Sequence, residues 1–208
     1  MKLKLFAISI LFSVSSVSYA GVYMGASVGQ TDSSIEGDIS QSSGHHIYTV
    51  IQNENYDSKD TGFSILFGYE FKFPELSLST EVGYIDFGQH IYDASGYNTW
   101  DPTGNIDIVA KVNMSGIYVS GILKRVINNS FGVYGRFGAT SSNGDAKITY
   151  SFYDVNGALT SSNSESFGDS GTHPNFGIGI QYQYFTLEYS IHKIFDINTS
   201  YLNFGFKY

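Results

Sequence analysis

The feature that most constrains this chain is an alternation of apolar and polar residues that recurs in eight separate segments. The segments lie at 22–30, 61–71, 76–87, 112–125, 130–140, 175–182, 184–191 and 201–208. Successive side chains of a β-strand point to opposite faces, so a period of two residues indicates a strand with two unlike faces. A tilted strand needs about ten residues to cross a bilayer, which is the typical length of these segments. The pattern therefore predicts strands that span a membrane.

Aromatic residues are unusually frequent, since the 208 residues include 17 Tyr and 16 Phe, beside 23 Gly. In the second segment Phe63, Ile65 and Phe67 share one face, while Gly62 and Ser64 belong to the other. No apolar run after residue 20 approaches the roughly 20 residues that a membrane helix needs. We therefore expect the apolar faces to contact lipid and the glycine- and serine-rich faces to enclose a small polar lumen.

The connections between the segments alternate in length. Short connections lie at 72–75, at 126–129 and near Gln183, whereas long ones lie at 31–60, 88–111, 141–174 and 192–200. Short turns at one end and long loops at the other are typical of bacterial outer-membrane barrels, and a spanning sheet has to close because unpaired backbone groups are costly in hydrocarbon. We predict an all-β, eight-stranded, antiparallel up-and-down transmembrane barrel with short periplasmic turns and long extracellular loops. The alternative, a soluble β-sandwich, would explain neither the unequal connections nor the aromatic excess.

The first twenty residues have the composition of a secretory signal peptide. Lys2 and Lys4 precede a mostly apolar run at 5–14, and Ser18-Tyr19-Ala20 offers small residues before a cleavage site. We predict that 1–20 is a signal peptide and that 21–208 forms a barrel domain in the outer membrane of a Gram-negative bacterium. The alternative is that the segment is an N-terminal buried strand.

Charge and cysteine content exclude several function classes. The formal net charge is −8, whereas nucleic-acid phosphates require a basic surface, so no nucleic-acid partner is expected. The absence of cysteine excludes disulfides, thiol nucleophiles and cysteine-based zinc sites. We expect no cofactor.

The last segment carries a second signal. Leu202, Phe204, Phe206 and Tyr208 alternate along it and end on an aromatic residue at the chain terminus. This pattern is typical of the terminal signal that the barrel-assembly machinery recognises by strand addition. Another amphipathic strand without that role would look the same.

Four short stretches carry a resemblance to a known family. They are Glu81-Val82-Gly83-Tyr84 followed by Asp86-Phe87-Gly88, Gly116-Ile117-Tyr118-Val119-Ser120-Gly121, Tyr134-Gly135-Arg136-Phe137-Gly138, and Leu187-Glu188-Tyr189. With these stretches in order at strand spacing, the chain resembles the OmpA-like transmembrane barrels, together with small relatives of the OmpX, Ail and opacity type. The periplasmic peptidoglycan-binding domain of OmpA has no counterpart here, so no peptidoglycan anchor is expected.

The resemblance also implies a cluster of charges in the lumen. Glu81, Arg136 and Glu188 stand at positions that form a lumenal plug in that family, whereas Ile122 and Thr186 replace two of its basic residues. Charges in so narrow a lumen need partners because their desolvation is costly. Two interpretations stay open, a structural ion-pair network in a poorly conducting barrel and a gate in a pore.

Five histidines are the candidates for catalysis or metal binding: His45, His46, His90, His173 and His192. Outer-membrane lipid A deacylases carry a His-x-Ser-Asn motif, whereas His192 precedes Lys193-Ile194-Phe195 and has no nucleophile at that spacing. His45 and His46 are adjacent, so on a strand they would point to opposite faces. We therefore predict no catalytic residue and no metal site, and a protein that is not an enzyme.

The long connections contain strand-like stretches at 47–51 and 147–153, and Asn156-Gly157 fits a type I′ hairpin turn. We expect strands to continue above the membrane as hairpins, with Tyr92, Tyr97 and Trp100 as exposed aromatic residues. Such hairpins favour a structural or adhesin-like role, with outer-membrane lipid and lipopolysaccharide around the barrel and a host or matrix ligand at the loops. The alternatives are loops that only lie among lipopolysaccharide headgroups, and a small porin-like channel with a partly plugged lumen.

Overall fold

The computed structural model describes residues 20–33, 49–98, 101–128, 130–194 and 197–208, and these ranges contain nine β-strands. The strands are β1 Ala20–Ser33, β2 Thr49–Asp57, β3 Lys59–Lys72, β4 Leu76–Asn98, β5 Asp101–Val126, β6 Phe131–Tyr153, β7 Leu159–Tyr182, β8 Phe185–Ile194 and β9 Ile197–Lys207. Within the same ranges, no helix is long and apolar enough to cross a membrane.

Eight of these strands form a closed antiparallel ring, in the order β1, β3, β4, β5, β6, β7, β8, β9 and back to β1. At the closing seam Gly25 of β1 lies opposite Lys207 of β9. The backbone N–H groups of Met24 and Tyr208 donate to each other's carbonyl oxygens at 2.9 and 2.8 Å. Closure pairs the backbone groups that lipid could not satisfy. The eight-stranded up-and-down barrel is therefore confirmed.

The ninth strand, β2, lies outside the ring. Among the described residues it pairs only with the far end of β4, from Thr49 opposite Asn98 to Asp57 opposite Ile91. Nearer the short turns β4 pairs with β3 instead, from Phe63 opposite Asp86 to Lys72 opposite Ser77. β2 therefore extends the sheet above the barrel.

Four strands reach much farther than the segments predicted from the sequence. β4, β5, β6 and β7 contain 23, 26, 23 and 24 residues, more than twice the roughly ten that cross a bilayer. Strand residues therefore occupy most of the two connections expected at 88–111 and 141–174. The connection expected at 192–200 is also mostly strand, because β8 ends at Ile194 and β9 begins at Ile197. The expected hairpin extension is confirmed for 147–153, which lies in β6. Of the stretch 47–51, only 49–51 is described, and it lies in β2.

The turn between β6 and β7 differs from the type I′ turn expected at Asn156-Gly157. That turn needs a positive φ at both residues, but Gly157 has φ 79° while Asn156 is not among the positive-φ residues. Instead, the Gly157 N–H donates to the Asp154 carbonyl oxygen at 3.0 Å, which makes a turn followed by a left-handed glycine. The N–H groups of Ala158 and Asn156 donate to the Asp154 carboxylate at 2.8 and 2.9 Å, and they hold the pKa of Asp154 below its usual value.

The side chains alternate across the barrel wall as the sequence pattern predicts. On the outside, Phe67 is 56% exposed, whereas Glu81 on the inside is 2% exposed. Many exposed aromatic residues lie close to the short turns: Tyr69, Phe71, Tyr182, Tyr184 and Tyr208. Aromatic residues of this kind are typical of the membrane interface.

Candidate functional site

Three buried charged residues, Glu81, Arg136 and Glu188, and the partly buried Lys207 meet in the lumen and are here called the ion layer. The Arg136 Nε and Nη2 atoms donate to the two Glu188 carboxylate oxygens at 2.9 and 3.0 Å, and its Nη1 lies 2.7 Å from Glu81 Oε2. Lys207 Nζ donates to Glu81 Oε1 at 2.6 Å. No side chain of the layer is more than 12% exposed. Two cations thus neutralise two carboxylates where an unpaired charge would be costly.

Three tyrosines surround the ion layer. The Tyr23 hydroxyl donates to Glu81 Oε1 at 2.6 Å, and the Tyr134 hydroxyl donates to Glu188 Oε2 at 2.9 Å. The Arg136 guanidinium carbon lies 5.4 Å from the centroid of the Tyr118 ring, within the range of a cation–π contact. Each carboxylate therefore has both a cationic and a hydroxyl partner.

The structure brings together Glu81, Arg136 and Glu188, which the sequence singled out, and adds Lys207. Ile122 and Thr186 contribute no charge to the lumen, but Lys207 and Lys124 supply positive charge there. The sequence did contain a signal for Lys207, because Lys207 has the same inward parity as Asn203 and Gly205 in the last segment.

Toward the short turns, the lumen widens to a cavity of about 440 Å³. A second charge group lines it, in which Lys124 Nζ lies 2.6 Å from Glu70 Oε1 and donates to Gln181 Oε1 at 3.1 Å. The Ser77 hydroxyl donates to the same Glu70 oxygen at 2.7 Å. Tyr23, Tyr134 and Lys207 also line the cavity, which therefore ends at the ion layer.

On the other side of the ion layer, the lumen is filled. A cavity of only about 20 Å³ adjoins Arg136 and Glu188. Beyond it lies the apolar plug, a cluster of buried residues formed by Ile85, Phe87, Val112, Met114, Ile194 and Tyr201. The interior is therefore not polar throughout, as the sequence predicted, because an apolar cluster occupies part of it beyond the ion layer. The ion layer and the plug together obstruct the lumen.

His192 lies in a polar belt beside the plug. Its Nδ1 is 3.0 Å from Thr140 Oγ1, its Nε2 is 3.2 Å from Ser190 Oγ, and the Phe87 ring packs against it with centroids 5.0 Å apart. A serine beside a histidine can act as a nucleophile, but both are buried and the adjoining 20 Å³ cavity has no room for a substrate. Among the described residues, no group of three or more His, Asp or Glu side chains could hold a metal ion. The belt therefore favours a packing role for His192.

Five strands continue beyond the barrel as the protruding sheet, which comprises 49–57, 89–98, 101–113, 143–153 and 159–173. The face that continues the lumen is apolar, with Ala110, Ile148 and Tyr150 buried together. Tyr92 packs against this cluster and Tyr97 is half-buried, so the expectation that both are exposed is wrong.

The opposite face of the protruding sheet is polar. On it, exposed Lys111 lies opposite exposed Lys147, and Asn113 lies opposite Asp145. The sheet is therefore amphipathic, with its polar side turned outward.

The four alternating residues at the chain terminus, Leu202, Phe204, Phe206 and Tyr208, all lie exposed on the outer wall. The Tyr184 ring contacts Phe206 and Tyr208, with centroids 5.9 Å apart in both cases. These contacts belong to the seam where β9 closes the barrel. Recognition of these residues by the assembly machinery stays a prediction.

Several predicted features lie outside the described residues. They are the signal peptide up to residue 19, the pair His45 and His46, and Trp100.

Comparison with known proteins gives one family and several similar folds. The family model of the OmpA-like transmembrane domain matches residues 18–201. Ail, the attachment invasion locus protein of Yersinia pestis, is 17% identical, with 89% of this chain and 98% of that chain covered and a TM-score of 0.42. Neisserial surface protein A is 13% identical, with 91% and 98% covered and a TM-score of 0.38. OprG from Pseudomonas aeruginosa is 10% identical, with 92% and 98% covered and a TM-score of 0.38. No curated protein matches the chain.

Proposed function

Because the chain belongs to the OmpA-like transmembrane domain family, whose model matches residues 18–201, we propose that this outer-membrane barrel acts at the cell surface through its protruding sheet. The barrel anchors the protein, and the sheet contacts a host or matrix molecule as an adhesin does. The protein is not an enzyme. Residues 1–20 direct export, and Leu202, Phe204, Phe206 and Tyr208 present β9 to the assembly machinery.

The observation that carries the proposal is the size of the sheet above the lipid-facing wall. The large exposed apolar residues of β6 end at Phe137, whereas the strand continues to Tyr153. The part of β6 from 141 to 153 is about 40 Å long at 3.3 Å per residue. A barrel that served only as a wall or a pore would not need strands of this length.

The obstructed lumen also supports a surface role. Arg136 holds Glu81 and Glu188 together, and the apolar plug fills the space beyond them. The second candidate, a porin-like channel, is favoured only by the cavity of about 440 Å³ at the short-turn end. Conduction would require both obstructions to move.

Trimming the β6–β7 hairpin tests the surface role. Gly144 and Asp169 lie opposite each other, so replacing 145–168 with Asn-Gly joins them by a two-residue turn. We expect cells that carry the trimmed protein to lose adhesion to host cells or matrix. The control Asn156→Ser keeps the hairpin at full length and should adhere like the wild type.

Folding is checked by the resistance of both variants to SDS without heating. Unchanged adhesion by a folded trimmed protein would contradict the proposal.

A further inference from the structure

Arg125 is a charged side chain on the outer wall of the barrel, close to the short turns. It is exposed and has the same outward parity as Leu123, which is 51% exposed. Its neighbours across the sheet on that face are Leu76 of β4 and Val133 of β6. Because this face contacts lipid and the short turns are periplasmic, the guanidinium lies where the headgroups of the periplasmic leaflet begin.

The Arg125 guanidinium has no carboxylate partner within the described part of the chain. None of the salt bridges found there involves Arg125 or Glu75, which is exposed in the adjoining short turn. Two other cations at this end of the barrel, Lys124 and Lys207, point into the lumen and pair with carboxylates there. Arg125 is therefore available to an anion from outside the protein.

A groove adjoins Arg125 on the side toward the bilayer centre. Gly135 of β6 lies on the outer face between Leu123 of β5 and Ile178 of β7. A Cβ added to Gly135 would meet no atom within 4 Å, so the glycine leaves a depression in the wall. The depression belongs to a groove of about 780 Å³, and Arg125 lies at the end of the groove nearer the short turns. The walls of the groove are formed mainly by Leu123, Val133, Ile178, Ile180, Leu187 and Tyr189.

We propose that this groove binds one anionic phospholipid of the periplasmic leaflet. The phosphate accepts hydrogen bonds from the Arg125 guanidinium, whose planar set of donors matches a phosphate group. One acyl chain lies over Gly135. Since lipid tails are as apolar as the groove, the acyl chain gains from close packing and not from the hydrophobic effect.

The charge of Arg125 also selects the headgroup. A headgroup that contains an ammonium would place a second positive charge beside the guanidinium, and like charges repel at this distance. A headgroup without an ammonium, such as that of phosphatidylglycerol, avoids this repulsion. The site is separate from the protruding sheet, so the proposal does not depend on the surface role.

Native mass spectrometry of the full protein tests the headgroup contact. The barrel is released from nanodiscs that contain phosphatidylglycerol and phosphatidylethanolamine in equal amounts, and the lipids that stay bound are counted. The wild type should retain one phosphatidylglycerol. Arg125→Gln should lower this retention about tenfold, because hydrogen bonds to a charged group contribute about this factor in affinity. The control Lys72→Gln removes a 61% exposed cation from the same end and should retain the lipid like the wild type.

A second pair of variants tests the groove without changing any charge. Gly135→Leu fills the depression and keeps Arg125, and it should fold because the position is open. Retention of phosphatidylglycerol should fall at least threefold. The control Ala139→Leu adds the same side chain to the outer face of β6, opposite Val119 and away from the groove, and should have no effect. Folding of every variant is checked by its resistance to SDS without heating.

The position of the lipid is tested by NMR in nanodiscs. Phosphatidylglycerol with a nitroxide in the middle of one acyl chain is added as a small fraction of the lipid. The amide signals of Gly135 and Ile178 should broaden more than that of Met24, which lies in β1 on the opposite side of the ring. In Arg125→Gln this difference should disappear.

Four results would each overturn the proposal. The wild type retains both lipids equally, or Arg125→Gln retains phosphatidylglycerol like the wild type. The wild type prefers phosphatidylethanolamine, which would mean that Glu75 recruits an ammonium. The barrel is released as a lipid-free dimer, which would mean that a second copy covers the groove.

The lipid measurements and the adhesion measurements are independent. Loss of adhesion on trimming the hairpin, together with equal retention of both lipids, would leave the surface role standing and remove the lipid site. Selective retention of phosphatidylglycerol, together with unchanged adhesion, would do the reverse.

Discussion

Replacing Arg136 with Met tests how the ion layer stabilises the barrel. Glu188 would lose its donors at 2.9 and 3.0 Å and keep only the Tyr134 hydroxyl, whereas Glu81 would keep Lys207 at 2.6 Å. The variant therefore leaves one buried carboxylate without a cation. Removal of one partner from a buried pair costs about 3–5 kcal/mol, and we expect a loss of this size in the free energy of unfolding.

A second substitution and a matched control identify the cause of that loss. Adding Glu188→Gln removes the orphaned charge, so the double variant should recover about 2 kcal/mol, since a neutral amide costs less to bury than a carboxylate. Lys72→Met breaks a pair in which Lys72 is 61% exposed and lies 3.6 Å from Glu70. An exposed pair contributes about 0–1 kcal/mol, so the control should stay close to the wild type.

The assay is urea unfolding in phospholipid vesicles, followed by far-ultraviolet circular dichroism. The comparison is valid when the free energy of unfolding depends on urea concentration with the same slope in all variants. The reasoning is refuted if Arg136→Met loses no more stability than Lys72→Met, or if the double variant is as unstable as the single one.

Three further predictions concern the plug and the turns. Phe87→Ala empties the centre of the apolar plug and should cost about 3–5 kcal/mol in the same assay; a loss under about 1 kcal/mol would mean that the plug is loosely packed. Gly88 and Gly157 have φ of 82° and 79°, so alanine at either position should lower the free energy of unfolding by about 1–2 kcal/mol. Gly88→Ala should cost more, because its Cβ meets the Asp60 carboxylate whereas Gly157 faces open space. Equal losses in the two variants would contradict this reasoning. The pKa of Asp154 is lowered, so its ionised carboxylate stabilises the turn at pH values above the usual aspartate pKa of about 3.9. This stabilisation is lost as the pH falls through the lowered pKa. Amide exchange at Ala158 should therefore quicken in that acid range in the wild type and show no such step in Asp154→Asn.

The barrel could be predicted because lipid imposes one rule on every outward side chain. Within the membrane Val133 and Phe137 of β6 are apolar and point outward. Above it the same strand carries Ile148 and Tyr150, which are apolar and point inward. The strand continues without interruption, but its outer face contacts water instead of lipid there. The apolar residues are therefore found at the inward-pointing positions above the membrane and at the outward-pointing positions within it. A search for lipid-facing apolar residues therefore ends each strand too early and reads the remainder as loop.

The ion layer could be predicted only in part. Alternation shows that Glu81, Arg136, Glu188 and Lys207 all point inward. It does not show that they meet at one depth, because strand tilt and stagger decide which inward residues become neighbours. The family resemblance supplied that information for the first three residues and not for Lys207. The apolar plug was missed for another reason: Phe87 and Tyr201 have the inward parity of Glu81 and Asn203, but aromatic residues were expected on the lipid-facing side.

Single-protein conductance in a planar lipid bilayer tests most directly the claim that the lumen is closed and that function lies at the surface. We expect no defined current steps from the wild type. We expect none from Arg136→Ala either, because Phe87, Met114 and Tyr201 still fill the lumen beyond the ion layer. Regular ion-selective steps from the wild type, or steps that appear when Arg136 alone is removed, would contradict the account.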